Sequence, residues 1–324
     1  MLNPSRLLEG ARRVARFTCS LVSSSVTRLA VGAATLVAAA PLAFAQTATK
    51  AATAPVEKVA DVTWWQAIIL GLVQGLTEFI PVSSSAHLNI THYLLGQNSR
   101  QLPFDVFLSV GTIVALAWYF FRDWKGLLTD PRQKWLLYMV LLACVPAVLV
   151  AAFSPIRHWE DTSKYLYSPF YNGLWLIIGG ALLFVADRVG SKKRPMSNIK
   201  NGDALIIGAS QALALIPGFS RSGSTIMAGL FLGLKREDAA RFSFLMSLPI
   251  SIGAVVYEAR GLVKAGSLGA GPLEAILGVT AAAVSGFWAI SFLLRYLSTR
   301  GMAPFFIWRV VVGIGAMIIF FSRR

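Results

Sequence analysis

The chain has 324 residues, of which 56% are apolar and 14% are charged, and its mean hydropathy is +0.63. Soluble globular proteins carry about 45–50% apolar and about 25% charged residues, so this composition excludes an ordinary soluble enzyme and a disordered chain and indicates a polytopic α-helical membrane protein. The formal net charge of +15 fits a membrane protein whose cytoplasmic loops collect Lys and Arg, and no nucleic-acid partner is expected.

The first 45 residues are predicted to be a secretory signal peptide. Five arginines and one acid precede an apolar run over 29–40, and Ala43 and Ala45 supply the small residues of a cleavage site after Ala45. An uncleaved anchor is the alternative, but the run is shorter than the ~20 residues that a membrane span needs. Residues 46–61 are predicted to form a linker that leads, from outside the cytoplasm, into a single membrane-embedded catalytic domain over 62–324.

That domain contains ten apolar segments, and six of them reach spanning length. These six lie at 103–121, 135–153, 170–186, 242–258, 274–294 and 304–321. The other four form two pairs, each interrupted by Pro, Gly and Ser, at 62–80 with 86–95 and at 203–216 with 224–234. Interrupted pairs at matching positions predict re-entrant hairpins. We therefore expect an all-α membrane protein with six transmembrane helices and two re-entrant helical hairpins.

The two halves of the domain resemble each other, which predicts an inverted-topology repeat over about 62–186 and 203–321. Gly71-Leu-Val-Gln74 before Pro81 matches Gly208-Ala-Ser-Gln211 before Pro217. If the first hairpin enters from outside, the predicted inside loops hold fourteen Lys and Arg and the outside loops five, as the positive-inside rule requires. The hairpins then enter from opposite faces, and their tips should meet near the bilayer midplane.

Ionisable and hydroxyl side chains collect at both predicted tips. They are Gln74, Glu78, Ser84 and His87 on the first, and Ser220, Arg221, Ser222 and Thr225 on the second. An ionisable group in an apolar segment costs about 2.5–3.5 kcal/mol on insertion scales unless it is paired or hydrated, so a functional site is the first interpretation. The alternative is a salt bridge from Glu78 to Arg221 that only locks the hairpins together.

The second tip is predicted to bind an anion, and phosphate is the anion expected. Arg221 presents a fork of N–H donors that fits phosphate bidentately. Gly218 and Gly223 permit turns whose backbone N–H groups point inward. Ser224 or Thr225 can cap the half-helix that follows, and its N-terminus adds partial positive charge.

The first tip is predicted to supply the reactive groups. Ser84 is placed to attack phosphorus, and His87, three residues later, to act as a general base or acid. Glu78 is placed to orient either residue or to hold a divalent cation that bridges phosphate oxygens. The residues leave the nucleophile open between Ser84, His87 and an activated water.

These two segments resemble the motifs of a known family. Residues 74–87, QGLTEFIPVSSSAH, are similar to its first motif, Glu/Gln-x-x-x-Glu followed by a Ser-rich turn and His. Residues 217–225, PGFSRSGST, are similar to its second, Pro-Gly-x-Ser-Arg-Ser-x-x-Thr. The family is undecaprenyl-diphosphate phosphatase of the bacitracin-resistance protein type, and the likeness runs from about Trp64 to the C-terminus.

The resemblance implies hydrolysis of undecaprenyl diphosphate to undecaprenyl phosphate and phosphate in the bacterial inner membrane, with the active site facing the periplasm and Mg or Ca as the cofactor. It implies recycling of the lipid carrier for peptidoglycan synthesis and resistance to bacitracin, which binds the diphosphate. The family's functional positions fall on Gln74, Glu78, Ser84, His87, Ser220, Arg221 and Thr225. Gln74 stands where Glu is frequent, which removes a candidate metal ligand and moves the acid–base role toward Glu78 and His87.

The rival hypothesis is a transporter or flippase for a phosphorylated polyprenyl lipid, because broken helices in inverted repeats are transporter architecture. Ser84 and His87 opposite Arg221 favour the phosphatase, since a transporter needs an anion site but no nucleophile–base pair. A phosphatidic-acid-type phosphatase lacks support, because the chain contains no Pro-Ser-Gly-His segment.

Overall fold

The computed structural model describes residues 62–97, 102–153, 168–265 and 270–322, and the predicted signal peptide and linker lie outside these residues. The described part contains eleven α-helices. In chain order they are α1 (Trp64–Phe79), α2 (Ser84–Leu94), α3 (Leu102–Tyr119), α4 (Phe121–Thr129), α5 (Lys134–Phe153), α6 (Pro169–Val189), α7 (Asn201–Ala209), α8 (Arg221–Phe231), α9 (Arg236–Ala265), α10 (Pro272–Leu297) and α11 (Ala303–Ser322).

The predicted class of polytopic helical membrane protein is confirmed. Five candidate spans have the length and hydropathy to cross a membrane, within Pro131–Val150, Pro169–Val189, Arg236–Glu258, Pro272–Leu297 and Ala303–Ser322. A sixth is possible only as a bent pair, because the chain turns by 64° between α3 and α4. The bend comes where the charged residues Arg122 and Asp123 follow the apolar α3, and Asp123 there forms an ion pair with Arg241 of α9.

Both predicted hairpins are helix–turn–helix units, and their turns match closely. In the first, α1 ends at Phe79 and α2 begins at Ser84. In the second, α7 tightens into a 3₁₀ turn over Ser210–Leu215 before α8 begins. The residue just before each second helix is a serine with positive φ, 74° at Ser83 and 77° at Ser220. Such a backbone costs of order 1–3 kcal/mol and persists only where its surroundings hold it.

Each half of the domain covers the hairpin of the other half. Helix α10 packs on α1 and α3, and the corresponding helix of the first half, α5, packs on α7 and α9. The remaining pair, α6 and α11, pack on each other. Two equivalent halves related by a two-fold axis would give this exchange of partners.

Glycines allow α1 and α10 to approach backbone to backbone. A Cβ atom at Gly71 would lie 2.3 Å from the carbonyl oxygen of Gly278, and one at Gly75 would lie 2.4 Å from that of Ala282. Small residues at a membrane helix interface permit such close packing. The contact fixes α1, which carries Gln74 and Glu78, against a long helix of the other half.

Replacing Gly71 with valine should therefore destabilise the protein by about 1–3 kcal/mol, since α10 cannot move away from a backbone clash without unpacking. Gly315→Val is the matched control, because a Cβ there meets nothing within 4 Å and carries the same helix-propensity cost. Thermal unfolding in detergent measures both. Equal midpoints for the two variants would contradict the packing described for α1 and α10.

Candidate active site

The turns of the two hairpins meet inside the molecule. Ser222 of α8 donates a hydrogen bond from its hydroxyl to the backbone carbonyl of Glu78, at 3.2 Å. The Arg221 guanidinium lies 3.8 Å from Glu78 Oε1. Both side chains are partly shielded, with Arg221 31% and Glu78 18% exposed. The structure therefore brings together the carboxylate of one motif and the guanidinium of the other, which are 143 positions apart in the sequence.

Glu78 is also the hydrogen-bond acceptor for the first tip. Ser84 Oγ donates to Glu78 Oε2 at 2.5 Å, and Gln74 Nε2 donates to the same oxygen at 3.3 Å. Pro81 and the positive φ of Ser83 turn the chain so that the first residue of α2 folds back over the last turn of α1. A hydroxyl that donates to a carboxylate at this distance forms a charge-assisted bond, and the carboxylate is positioned to take its proton.

Arg221 is oriented by a residue that the sequence did not single out. Its Nη1 donates to Ser251 Oγ of α9 at 2.8 Å, while Nη2 faces Glu78. A serine inside a long apolar helix gives no signal of its own, because helix–helix hydrogen bonding in lipid is its usual role. Two contacts from different helices fix the plane of the guanidinium before any ligand arrives.

A narrow cleft beside this cluster is lined by polar and apolar residues. The polar residues are Glu78, Thr112, Arg221, Ser222, Ser247 and Ser251. The apolar residues are Phe79, Ile113, Leu116 and Phe244.

The other predicted residues of the second tip have mainly local partners. Ser220 accepts a hydrogen bond from the Gly223 N–H at 3.1 Å and so caps α8. The Thr225 hydroxyl is buried and forms a 2.6 Å hydrogen bond with that of Ser243 on α9, which ties α8 to α9 rather than lining the cleft. Of the two glycines expected in turns, Gly218 has a positive φ of 102°, whereas Gly223 lies within α8.

His87 is not hydrogen-bonded to Ser84, so the expected serine–histidine pair does not form in this structure. Its Nδ1 lies 2.8 Å from the Ser83 carbonyl, which can only accept, and its Nε2 lies 3.0 Å from the Trp308 indole N–H, which can only donate. His87 is therefore neutral, with its proton on Nδ1. Trp308 comes from α11, and nothing in the local sequence of the first tip indicated it.

His92 has the opposite protonation state and lies outside the cluster. The Thr63 N–H donates to Gln66 Oε1 at 3.0 Å, which identifies that atom as an acceptor. Gln97 Nε2 lies 3.1 Å from the same oxygen and therefore donates to it. Gln97 Oε1 is then an acceptor for His92 Nδ1 at 2.6 Å, and Asp105 accepts from Nε2 at 2.9 Å. With both nitrogens donating, His92 is an imidazolium that ties the two ends of the first hairpin to α3.

The chain is similar to one known family and to several undecaprenyl-diphosphatases over most of its length. The family model described as "Bacitracin resistance protein BacA" matches residues 67–315. The undecaprenyl-diphosphatase of Gemmatimonas aurantiaca is 41% identical over 268 residues, which cover 81% of this chain and 99% of that protein. That of Pelobacter propionicus is 42% identical over 265 residues, covering 78% and 95%, and that of Trichlorobacter lovleyi is 41% identical over 263 residues, also covering 78% and 95%.

Nitrogen NMR of ¹⁵N-histidine-labelled protein in nanodiscs should distinguish the two described histidines near neutral pH. His87 should show a protonated Nδ1 and an unprotonated Nε2, whereas His92 should show two protonated nitrogens. Trp308→Phe keeps the ring but loses the indole N–H, so it should shift the Nε2 signal of His87 and leave His92 unchanged. Signals from a doubly protonated His87, or a spectrum insensitive to Trp308→Phe, would contradict this geometry.

Proposed function

The chain belongs to the BacA family of bacitracin resistance proteins, and we propose that it hydrolyses undecaprenyl diphosphate to undecaprenyl phosphate and inorganic phosphate. The observation that carries the proposal is the 2.5 Å hydrogen bond from Ser84 to Glu78 beside Arg221. A proton acceptor and an anion-binding guanidinium line one cleft, and the nucleophile is hydrogen-bonded to that acceptor. The relatives' names and their nearly full-length alignments agree with this chemistry.

In the proposed reaction, Ser84 Oγ attacks the distal phosphorus while its proton passes to Glu78 Oε2. The bond from that phosphorus to the bridging oxygen breaks, and undecaprenyl phosphate leaves with the bond's electron pair. Glu78 passes this proton to the departing undecaprenyl phosphate and is a base again. Water then attacks the phosphoserine and gives a proton to Glu78, the bond from phosphorus to Ser84 Oγ breaks, Glu78 returns the proton to Oγ, and phosphate is released. A water activated directly by Glu78 would give the same products. His87 is less suited to attack or to take the first proton, because Ser83 and Trp308 occupy its nitrogens.

Arg221 and the two helix N-termini would stabilise the charge that develops on the phosphate oxygens. The 3.8 Å contact between Arg221 and Glu78 is longer than a hydrogen bond, so phosphate oxygens can take over the Nη2 donors. Helices α2 and α8 begin at Ser84 and Arg221, and helix N-termini favour anions. Phosphoryl transfer depends chiefly on such positioning and charge stabilisation.

We propose that the basic end of the molecule faces the cytoplasm of the bacterial inner membrane. Contacts gather several basic residues at that end: Arg236 pairs with Asp187, Arg194 with Asp203, and Lys192 donates to the Asp187 carbonyl. The positive-inside rule favours this orientation. Together with the predicted entry of the chain from outside, it favours an active site open to the periplasm. We propose that the diphosphate carrier is hydrolysed there for recycling in peptidoglycan synthesis, at the face where bacitracin binds it.

A divalent cation, Mg or Ca, is proposed as the cofactor. In the described part of the chain no three His, Cys, Asp or Glu residues cluster as a metal site, and Glu78 is the one carboxylate of the cleft. The residues therefore fit a cation held jointly by Glu78 and substrate oxygens, which is how Mg²⁺ is often bound. Such an ion supplies charge neutralisation to the diphosphate oxygens.

Phosphate release from undecaprenyl or farnesyl diphosphate by purified protein, with Mg or Ca present, tests the proposed function. The wild type should release phosphate, and Glu78→Gln, Arg221→Ala and Ser84→Ala should each lose about 100-fold or more. Ser197→Ala, in an exposed turn near the basic end, is the matched serine control and should stay near wild type.

The outcomes separate the hypotheses. A wild type that releases no phosphate refutes the phosphatase, and binding or flipping of the lipid without release would favour the transporter instead. Near-normal activity in Ser84→Ala would assign the attack to a water activated by Glu78.

Removal of the metal should abolish phosphate release, and restored Mg or Ca should return it. Gln74→Glu adds a second carboxylate beside Glu78, so it should lower the metal concentration that gives half-maximal activity by roughly tenfold, since one good ligand interaction is worth about 1–2 kcal/mol. The measurement is a metal titration of both proteins. Full activity in a chelator, or an unchanged titration midpoint in Gln74→Glu, would contradict a cation held at Glu78.

A further inference from the structure

The last helix places a fully buried guanidinium between the two hairpin turns. Arg309 lies in the apolar α11 and is 0% exposed. In the described part of the chain, each of its hydrogen bonds goes to a backbone carbonyl oxygen. Burial of a cation costs several kcal/mol unless its donors are satisfied, so a packing role alone would be better served by Leu or Met.

The carbonyls come from both turns and from a third helix. Nη1 donates to the Pro81 carbonyl of the first turn at 3.2 Å. Nη2 donates to the carbonyls of Gly218 and Phe219 in the second turn, at 2.8 and 3.1 Å. Nε donates to the Leu176 carbonyl of α6 at 2.8 Å, which anchors the side chain. One side chain therefore sets the distance between the two turns.

Glycines from two helices form a slot for this side chain. A Cβ atom at Gly179 of α6 would lie 2.4 Å from Nη2, and one at Gly180 would lie 3.2 Å from Nε. On the other side, a Cβ at Gly223 of α8 would lie 3.2 Å from Nη1. The guanidinium thus fits against the first turn of α8, the helix that begins with Arg221.

The bonded carbonyls determine where the reactive residues face. A trans peptide is planar, with its C=O and the next N–H pointing in opposite directions. The Phe219 carbonyl points at Arg309, so the Ser220 N–H points away from it. The two serines with positive φ lie near these carbonyls: Ser220 directly follows Phe219, and Ser83 lies two residues after Pro81. Arg309 binds carbonyl oxygens of both turns. These bonds stabilise the turn conformations from which α2 begins at Ser84 and α8 begins at Arg221.

We propose that Arg309 is a positioning residue for the phosphatase reaction: it binds the carbonyl side of both turns and so aligns Ser84 with Arg221 across the bound diphosphate, without touching the substrate itself. The inference rests on the proposed function. A misplacement of about 1 Å at reacting groups can cost about 100-fold in rate, so a residue that links the two turns should affect turnover more than binding.

Steady-state kinetics of phosphate release test this role in the full-length protein. Arg309→Met should lower kcat by about 100-fold with KM changed less than about threefold, because Arg221 still binds the phosphate. Arg309→Lys keeps the charge but loses the fork, and should recover part of the kcat. Arg295→Met, at an exposed position in the last turn of α10, is the matched control and should stay within about twofold of wild type, as expected of a surface substitution.

Gly179→Ala tests the same role with the guanidinium retained, and covers the case in which Arg309→Met fails to fold. The added methyl would lie 2.4 Å from Nη2, so it should displace the fork and lower kcat, whereas Gly315→Ala, which meets open space, should not. Normal kcat in Arg309→Met or in a folded Gly179→Ala overturns the proposal. A higher KM with an unchanged kcat in either variant also overturns it. An inactive wild type would instead refute the proposed function.

Discussion

Two helices break in the middle of an apolar molecule, and the backbone polar groups that these breaks release must be satisfied there. In a bilayer core, no water is available to hydrogen-bond a carbonyl or an N–H group. The carbonyl groups that the breaks release and the polar groups at the helix starts have different partners. The carbonyls of Pro81, Gly218 and Phe219 are bonded to Arg309. On the other side, the hydroxyls of Ser84 in α2 and Ser222 in α8 donate to Glu78.

Charge explains why the site suits a diphosphate. Arg221 and Arg309 bring two positive charges to the meeting point of the turns, and Glu78 brings one negative charge. The helix N-termini add partial positive charge. These groups lie in a shielded environment, where Coulomb interactions are stronger than in water.

The local pattern of the sequence was sufficient to predict most helices and both hairpins, because hydropathy and Pro, Gly and Ser breaks are local properties. It also predicted that Glu78 and Arg221 would meet, since charge in apolar segments requires a partner. It missed contacts that depend on tertiary packing. Ser251 and Trp308 lie on long apolar helices whose rotation no local motif specifies, and Trp308 bonds to the Nε2 atom of His87. Arg309 lies in an apolar segment of the sequence, but no local pattern shows that it is buried or that its partners are carbonyls of two distant turns.

The most direct test of the account is the distance from the Arg221 guanidinium to the phosphorus of a bound ligand. Solid-state ¹⁵N–³¹P dipolar recoupling measures it in membranes, with ¹⁵N-arginine protein and a non-hydrolysable methylene bisphosphonate of a prenyl alcohol. Loss of the signal in Arg221→Lys assigns the contact. Bidentate contact through oxygens at about 2.8 Å predicts a nitrogen–phosphorus distance of roughly 4 Å. A bound ligand whose phosphorus gives no coupling to Arg221 would contradict a phosphate site between the two turns.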